Sequence, residues 1–352
     1  MRRSQPSSPF ERRPPKPTFT RPAEVPDDAL ASVFTVRPEH AGLRLDRWLA
    51  VEMPRLSRTR AQRIVAEWAF DATARALNPS HRVRASEVIV VFRPLWEEPE
   101  APREVELLHL DAEVIAVSKP AGLPVHPTAR FHRNTLTAVL AERFPGERVT
   151  LAHRLDRETS GVILAARTYP AERHLKESFA GRDVEKTYLA ITHGVIADDR
   201  FEVDAPLCLE GGEVGVRMCV RPEAQGGLAS RTRFEVIERL AGFTLVACHP
   251  ETGRQHQIRV HLAHAGHPIV GDKLYAHGDE VFLACLEGPM DDAMRARLML
   301  PRQALHAHAI RLAHPAGGEL RVTAPLAPDL AEFCDRHRAP STAAAPGDTR
   351  IA

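Results

Sequence analysis

The sequence predicts an α+β protein made of two unequal folded units. Three observations carry this. At 352 residues, the chain has room for about two domains at ~150 residues each. A stretch rich in proline and acids, 94–104, separates a short N-terminal part from a long C-terminal one. Beyond it, strand-like apolar runs outnumber helical ones, which points to a mixed or antiparallel sheet.

Taken in order, residues 1–26 hold seven prolines and six basic residues against Glu11 and Glu24. Such a segment cannot bury enough apolar surface to fold. Residues 1–34 therefore read as a disordered basic tail. In 35–93, Leu43, Leu45, Trp48 and Leu49 recur at helical spacing. Ser57 is placed to cap a second helix running through Thr59–Val65. Asn78-Pro79-Ser80 is turn chemistry, and Val83 and Val88–Val91 read as strand. Between 43 and 84, nine arginines face four acids, giving +5 on a small unit. A helix carrying Arg58, Arg60 and Arg63 offers that charge to a phosphate backbone. In 105–338, Val114–Val117 is a strand stopped at Lys119-Pro120-Ala121-Gly122. Leu136–Phe144 and Ala171–Phe179 have helical spacing. Val162–Ala166, Thr187–Thr192, Arg231–Ile237 and Phe243–Ala247 read as strands. Residues 339–352 are a second loose end.

Composition sets outer bounds. No run approaches the ~18 apolar residues of a membrane-spanning helix. The amino terminus lacks the apolar core of a secretory signal. Five scattered cysteines with no CxxC pair fit neither a disulfide framework nor a zinc ribbon, and a reducing cytoplasm is expected. Net charge is +1, which by itself argues against nucleic-acid binding. That average hides the basic tail and the basic 43–84 segment. The chain has 42 arginines and only five lysines. A lysine kept in such a chain is a candidate for a chemical requirement.

The segment AHRLDRETSGVILAAR, 152–167, carries the clearest chemistry. A charged loop runs into an apolar strand, and Asp156 sits between Arg154 and Arg157. Nearby positive charge keeps such a carboxylate ionised. It can then act as nucleophile, base or metal ligand, or simply pin a loop through a salt bridge. A serine hydrolase fits poorly, because Ser160 lies outside any G-x-S-x-G elbow. His256, His261, His264, His267, His306 and His308 have the density of a metal site, without a ligand spacing that names one.

Four segments in order resemble the RluA-type RNA pseudouridine synthase family: SKPAGLPVHP (118–127), HRLDRETSG (153–161), EKTYLA (185–190) and PETGRQHQIRVHLAHAGHPIVGDKLY (250–275). RLDRWLA (44–50), LSRTRAQRIVAE (56–67) and PSHRVRASEVIVV (79–91) resemble an S4-type RNA-binding domain. There Trp68–Arg75 and Ser86-Glu87 stand where that family has glycine-bearing turns, so a distorted hairpin is expected. The resemblance implies a pseudouridine-synthase-like mixed or antiparallel sheet with a central cleft, plus a small α/β S4-like domain. It implies an isomerase that flips a uridine out of RNA and re-forms it as a C-glycoside. Asp156 matches the attacking aspartate, whether at C1′ of the ribose or C6 of the base. Arg154 matches the side chain that fills the gap left by the flipped base. Tyr188 matches the stacking aromatic, and Arg259 the partner of the carboxylate. Lys186 and Ile258 match pocket residues. No cofactor and no metal are implied, since the reaction needs neither redox change nor a nucleotide energy source. Three of the five lysines, Lys119, Lys186 and Lys273, fall within these motifs. The expected partner is RNA, 23S ribosomal RNA first and transfer RNA second, with the protein acting as a monomer. A non-catalytic RNA-binding or ribosome-assembly factor is the rival class. The loops that choose the RNA are expected in insertions such as Phe282–Arg302.

Overall fold

The computed structural model describes residues 17–53, 56, 58–93, 98–128, 130–211, 214–288 and 290–338. These fall into two compact units, divided between Glu97 and Glu98. The N-terminal unit contains β1 (Leu30–Thr35), α1 (Leu45–Glu52), α2 (Arg58–Trp68), β2 (Ala69–Asp71) and β3 (Val88–Arg93). Its three strands lie antiparallel in the order β1-β3-β2. Leu45, Trp48 and Leu49 of α1 meet Ala61 and Val65 of α2 over Ile89 and Val91 of β3. The apolar spacing of the two helices thus becomes one side of a small core. The cap expected at Ser57 lies outside the described residues.

Part of the segment expected to be a disordered tail, residues 17–34, takes its place in the fold. β1 begins at Leu30 and pairs with β3 along its length. Before it, Phe19 packs edge-on against Phe92 at 5.8 Å. The Arg21 guanidinium donates to the carbonyls of Pro26 and Ala29. Val25, Ala29, Phe70 and Phe92 form a second small core that proline content alone did not reveal. Residues 1–16 and 339–352 lie outside the described set. The expected distortion near Trp68–Arg75 resolves into a tight turn held by one side chain. Asp71 Oδ1 accepts from the amides of Thr73 and Arg75 and from the Thr73 hydroxyl. Such an Asx-type turn replaces glycine chemistry with a carboxylate.

Of the linker expected over 94–104, residues 98–104 belong to the larger unit. From Glu98 the chain packs on the larger unit: the Glu98 carboxylate accepts from the amides of Arg133 and Asn134. Arg103 donates to the Arg133 carbonyl and Asn134 Oδ1.

The larger unit runs β4 (Glu106–Leu110), β5 (Val114–Lys119), α3 (Leu136–Arg143), β6 (Thr150–Leu151), β7 (Ser160–Ala166), α4 (Tyr169–Gly181) and β8 (Glu185–His193). It continues with β9 (Arg200–Asp204), β10 (Leu207–Leu209), β11 (Met218–Val220), β12 (Arg231–Leu240), β13 (Phe243–Pro250) and α5 (Gln257–His264). It ends with α6 (Asp279–Glu287), α7 (Asp292–Leu298), β14 (Leu305–Ala313), β15 (Glu319–Thr323) and α8 (Pro328–His337). The main sheet has the order β4-β5-β7-β14-β8-β13-β12-β9, with β15 on β14 and β6 on β7. Only β7–β14 is parallel among the described ladders; the rest are antiparallel. The sheet is therefore mixed, as the strand count predicted. α5, α8 and the two helices of the Phe282–Arg302 insertion were not expected. β10 and β11 form a separate hairpin, on which Cys208 and Cys219 face each other as free thiols, Sγ to Sγ 3.4 Å. Cys248 is a core residue, whereas Cys285 on α6 is only half-buried.

β7 is buried at all seven positions, Ser160–Ala166, because β5 and β14 flank it and apolar layers cover both faces. Its second residue must be glycine. Gly161 has φ +109°, and a Cβ there would lie 2.1 Å from the Ala307 carbonyl oxygen. Gly161, Ala307, Tyr188 and Cys248 stand side by side across β7, β14, β8 and β13. Small neighbours on one side thus leave room for the tyrosine ring at the centre of the sheet.

Candidate active site

The charged loop 152–159 turns into β7 at the middle of the sheet, which delivers Asp156 to the floor of an open cleft of about 560 Å³. The turn is tied from several sides. Thr159 N–H donates to the Asp156 carbonyl at 3.2 Å. Gln303 Nε2, just ahead of β14, donates to Thr159 Oγ1 at 2.7 Å and approaches Asp156 Oδ2 at 3.4 Å. Lys273 Nζ holds the Glu158 carboxylate at 2.5 Å and the Pro301 carbonyl at 2.7 Å. Fully buried Lys119 donates to the carbonyls of Pro120, Leu123 and Arg157 at 2.8–3.0 Å. Three carbonyl acceptors use all three ammonium protons. Burial, and then the Arg302 charge, push this lysine down to about 7. Two of the scarce lysines therefore act as fasteners of the Asp156 loop.

Arg259 reaches the same carboxylate from α5. Its Nη1 donates to Asp156 Oδ2 at 3.0 Å. Its other edge forms a two-pronged pair with Asp272, Nε to Oδ2 at 2.7 Å and Nη2 to Oδ1 at 2.9 Å. Asp272 is fully buried and also accepts from the amides of Leu274 and Tyr275. Arg259 is thus fixed by one carboxylate while it serves the other, a geometry that the planar guanidinium fork allows and a lysine would not. Gly271, with φ +73°, lets this turn lie against the chain at 300–302: a Cβ there would be 2.0 Å from the Arg302 carbonyl oxygen.

These contacts set the charge state. Burial alone would raise the Asp156 carboxyl. The charges of His256 and Arg259, with hydrogen bonds from Arg259 and Gln303, outweigh it and hold the group below the usual carboxylate range. His256 is itself pushed down to about 4, by burial first and Arg259 second. It is neutral near pH 7, so there the stabilising charge is that of Arg259. Burial, then the Asp156 charge, drive the Tyr188 phenol well above its ordinary value, so it stays protonated. Its ring lines the cleft beside Asp156.

The cleft gathers six of the residues named from the sequence: Asp156, Tyr188 and Arg259, with Arg154, Lys186 and Ile258 on its walls. Arg154 is exposed and Ile258 buried. Lys186 is half-buried and lowered by burial and by Arg182, which adds a further cation to the rim. Arg58, Arg60 and Arg63 lie on the other compact unit, along the exposed side of α2. Asp272, Gln303, His256 and Tyr275 were not singled out as site residues. Tyr275, Asp272 and His256 all sat within the quoted motif 250–275. Gln303 had none, because only the fold brings 303 to 156.

The histidines of 256–308 do not converge. His261 bonds Thr232 and the Ala205 carbonyl, His267 the His193 carbonyl, and His306 Ser160. The cluster His109, Asp111 and His314 does bring three possible ligand atoms within 4.8 Å, outside the cleft. Both imidazole Nε2 atoms approach Asp111 Oδ2, at 2.6 and 2.9 Å. His314 Nδ1 accepts from the Ala316 amide, so its proton sits on Nε2 and points at the carboxylate. A metal on that nitrogen would require the proton to move against the Ala316 N–H. The cluster is a hydrogen-bonded clamp.

No helix among the described residues is long and apolar enough to cross a membrane. The sequence profile of the RNA pseudouridylate synthase family matches residues 113–264, which include Asp156, Tyr188 and Arg259. Ribosomal large subunit pseudouridine synthase D of Xanthomonas campestris pv. campestris is 35% identical over 343 residues, covering 94% of this chain and 96% of that protein. Ribosomal large subunit pseudouridine synthase C of Pasteurella multocida is 33% identical, over 85% of this chain and 91% of its own. Among solved structures, human RNA pseudouridylate synthase domain containing 1 superposes with a TM-score of 0.53 at 26% identity, over 66% of this chain and 89% of that one. A carboxylate held by a fixed arginine beside a partly buried tyrosine, on a chain alike over nearly its whole length, places this protein in the RNA pseudouridylate synthase family, isomerases that act on RNA.

Proposed function

We propose that this enzyme converts uridine to pseudouridine in 23S ribosomal RNA, with Asp156 as its nucleophile. The observation that carries the reading is the Asp156–Arg259–Asp272 chain at the floor of the cleft. It supplies an ionised carboxylate, oriented from behind, in a space open to a base. The names of the relatives, both of the large ribosomal subunit, support the choice of RNA.

The target uridine leaves its stack, at a cost of a few kcal/mol. Stacking on the Tyr188 ring recovers about 1–3 kcal/mol of this. Arg154 occupies the gap in the RNA. Lys186 and Ile258 line the base pocket. The Asp156 carboxylate attacks the nucleotide, the N1–C1′ bond breaks, and the base turns. C5 then bonds to C1′, the bond to Asp156 breaks and returns the free carboxylate, the C5 proton is lost, and N1 gains a proton. Atoms balance without a co-reactant. Arg58, Arg60 and Arg63 of the S4-like unit bind the RNA backbone. The protein acts as a monomer in the cytoplasm.

Asp156→Asn tests the centre of this reading. The variant should form no pseudouridine in 23S RNA transcripts while binding them within about threefold of the parent. Full activity would remove Asp156 from the chemistry. Mapping in cells with and without the gene tests the substrate: pseudouridines lost from transfer RNA alone would overturn the ribosomal assignment.

A further inference from the structure

His256 stands at the start of α5 with a left-handed backbone, φ 55° and ψ 14°. Its side chain makes no capping bond. It turns into the cleft instead, with its side chain only 10% exposed. Nδ1 lies 2.8 Å from the Tyr275 hydroxyl. That hydroxyl accepts from the Met218 amide of β11 at 2.9 Å. Among the described residues, His256 Nδ1 is the one acceptor bonded to the Tyr275 hydroxyl, so the phenolic proton belongs to that bond. A neutral imidazole that accepts at Nδ1 carries its own proton at Nε2. The other end of the ring agrees. Nε2 faces Asp156 Oδ2 at 3.8 Å, where a lone pair would be repelled by the carboxylate and an N–H is attracted. At 3.8 Å, however, no hydrogen bond is made. Asp156 Oδ2 is already served by Arg259 and Gln303. His256 therefore presents a neutral N–H donor, without a partner among the described residues, to the space beside the reacting carboxylate.

We propose that His256 is a further catalytic residue, whose Nε2–H donates a hydrogen bond to the uracil ring while the base is detached from the ribose, in the tautomer fixed by Tyr275. The proposal rests on the reading of Asp156 and the cleft given above. The detached base leaves with the electrons of the N1–C1′ bond and carries negative charge over its ring nitrogen and carbonyl oxygens. A fixed donor aimed at developing charge lowers the barrier without reorganising. Neutrality matters. An imidazolium could hand its proton to N1 and trap the base, whereas a neutral imidazole N–H is too weak an acid to do so. The proton stays on His256 throughout, and C5 remains free to attack. Burial and the nearby Arg259 charge keep the ring in this neutral form at physiological pH.

Single-turnover kinetics on a 23S RNA fragment, with RNA affinity measured in parallel, test the proposal. His256→Leu should lower the rate about 10²–10³-fold, as for loss of one charge-stabilising donor, with affinity within threefold. His256→Gln, whose amide can supply an N–H near the same place, should recover at least tenfold of that loss. Tyr275→Phe removes the lock and should slow the reaction, and ¹⁵N shifts of His256 should report Nε2–H in the parent and a mixture in this variant. Thermal unfolding checks that each variant is folded. A folded His256→Leu protein at the parental rate would overturn the proposal. So would a glutamine variant no better than leucine, or an Nδ1–H tautomer in the parent. Were Asp156→Asn inactive and His256→Leu unimpaired, only the His256 role would fall. An active Asp156→Asn would instead remove the underlying reading.

Discussion

Arg259 can orient Asp156 only because Asp272 holds its far side. Removing one partner from a buried pair leaves an uncompensated charge and costs about 3–5 kcal/mol. Asp272→Asn should therefore lose much of that stability and slow isomerisation at least 100-fold, with RNA affinity little changed. Chemical denaturation and single-turnover rates on the same preparation check both parts; a parental rate would show that Arg259 needs no anchor. The sequence pointed to Asp156, Tyr188 and Arg259 because each sits in a dense, ordered pattern of unusual residue types. It did not point to Gln303, an ordinary glutamine whose role exists only once residues 144 positions apart are brought together. Lys119 and Lys273 were legible through their rarity, but their work as loop fasteners is visible only from their carbonyl and carboxylate partners.

At the scale of elements, the β7–β14 pairing is the least forgiving. Gly161→Ala would push a methyl carbon into the Ala307 carbonyl. The expected loss is more than about 3 kcal/mol, or failure to yield soluble protein. An unchanged urea midpoint would show that the strands can part without harm. α2 presents the opposite case. Its buried residues are Ala61 and Val65, and Arg58, Arg60 and Arg63 lie on the exposed side. Replacing all three by alanine should leave stability within about 0.5 kcal/mol. RNA affinity should fall, and the slope of log affinity against log salt should flatten by about 0.7–0.9 for each phosphate no longer neutralised. An unaltered slope would place the RNA elsewhere. Strands and helices with clean periodicity, such as β5, α3 and β12, were readable from local sequence. α5 was not, because its first six residues, Gln257–Leu262, are all buried and show no amphipathic stripe.

For the whole molecule, the net charge of +1 says little, since nine arginines stand against four acids over 43–84 while acids balance them elsewhere. Acid sensitivity is better defined. His256 and His306 are both depressed to about 4, chiefly by burial, from an ordinary value of 6.5. Below 6.5 the unfolded chain takes up protons that the folded one refuses. Stability is therefore fully present above 6.5 and is lost as pH falls toward 4, by up to about 1.4 kcal/mol per pH unit for each such histidine. Melting temperatures from about pH 7 to about pH 4.5 should fall steadily, and a flat profile would contradict the burial of these rings. Proline and acids mark 94–104 in the sequence, and the chain divides into its two compact units between Glu97 and Glu98. The place of Phe19, Val25 and Ala29 in the small unit was not legible, since they are scattered among prolines and join a core only with Phe70 of β2 and with Val90 and Phe92 of β3.

The parallel pairing of β14 with β7 has a consequence for when the enzyme comes into being during synthesis. His306 and Ala307 lie beside Ser160 and Gly161, and Gln303 braces Thr159 from 144 residues further along the chain. A ribosome that has delivered the whole motif around Asp156 must still translate that intervening stretch before these supports exist. The nascent chain would hold Asp156 on a loop without its central neighbour, and an RNA-modifying activity would be withheld until that stretch is made.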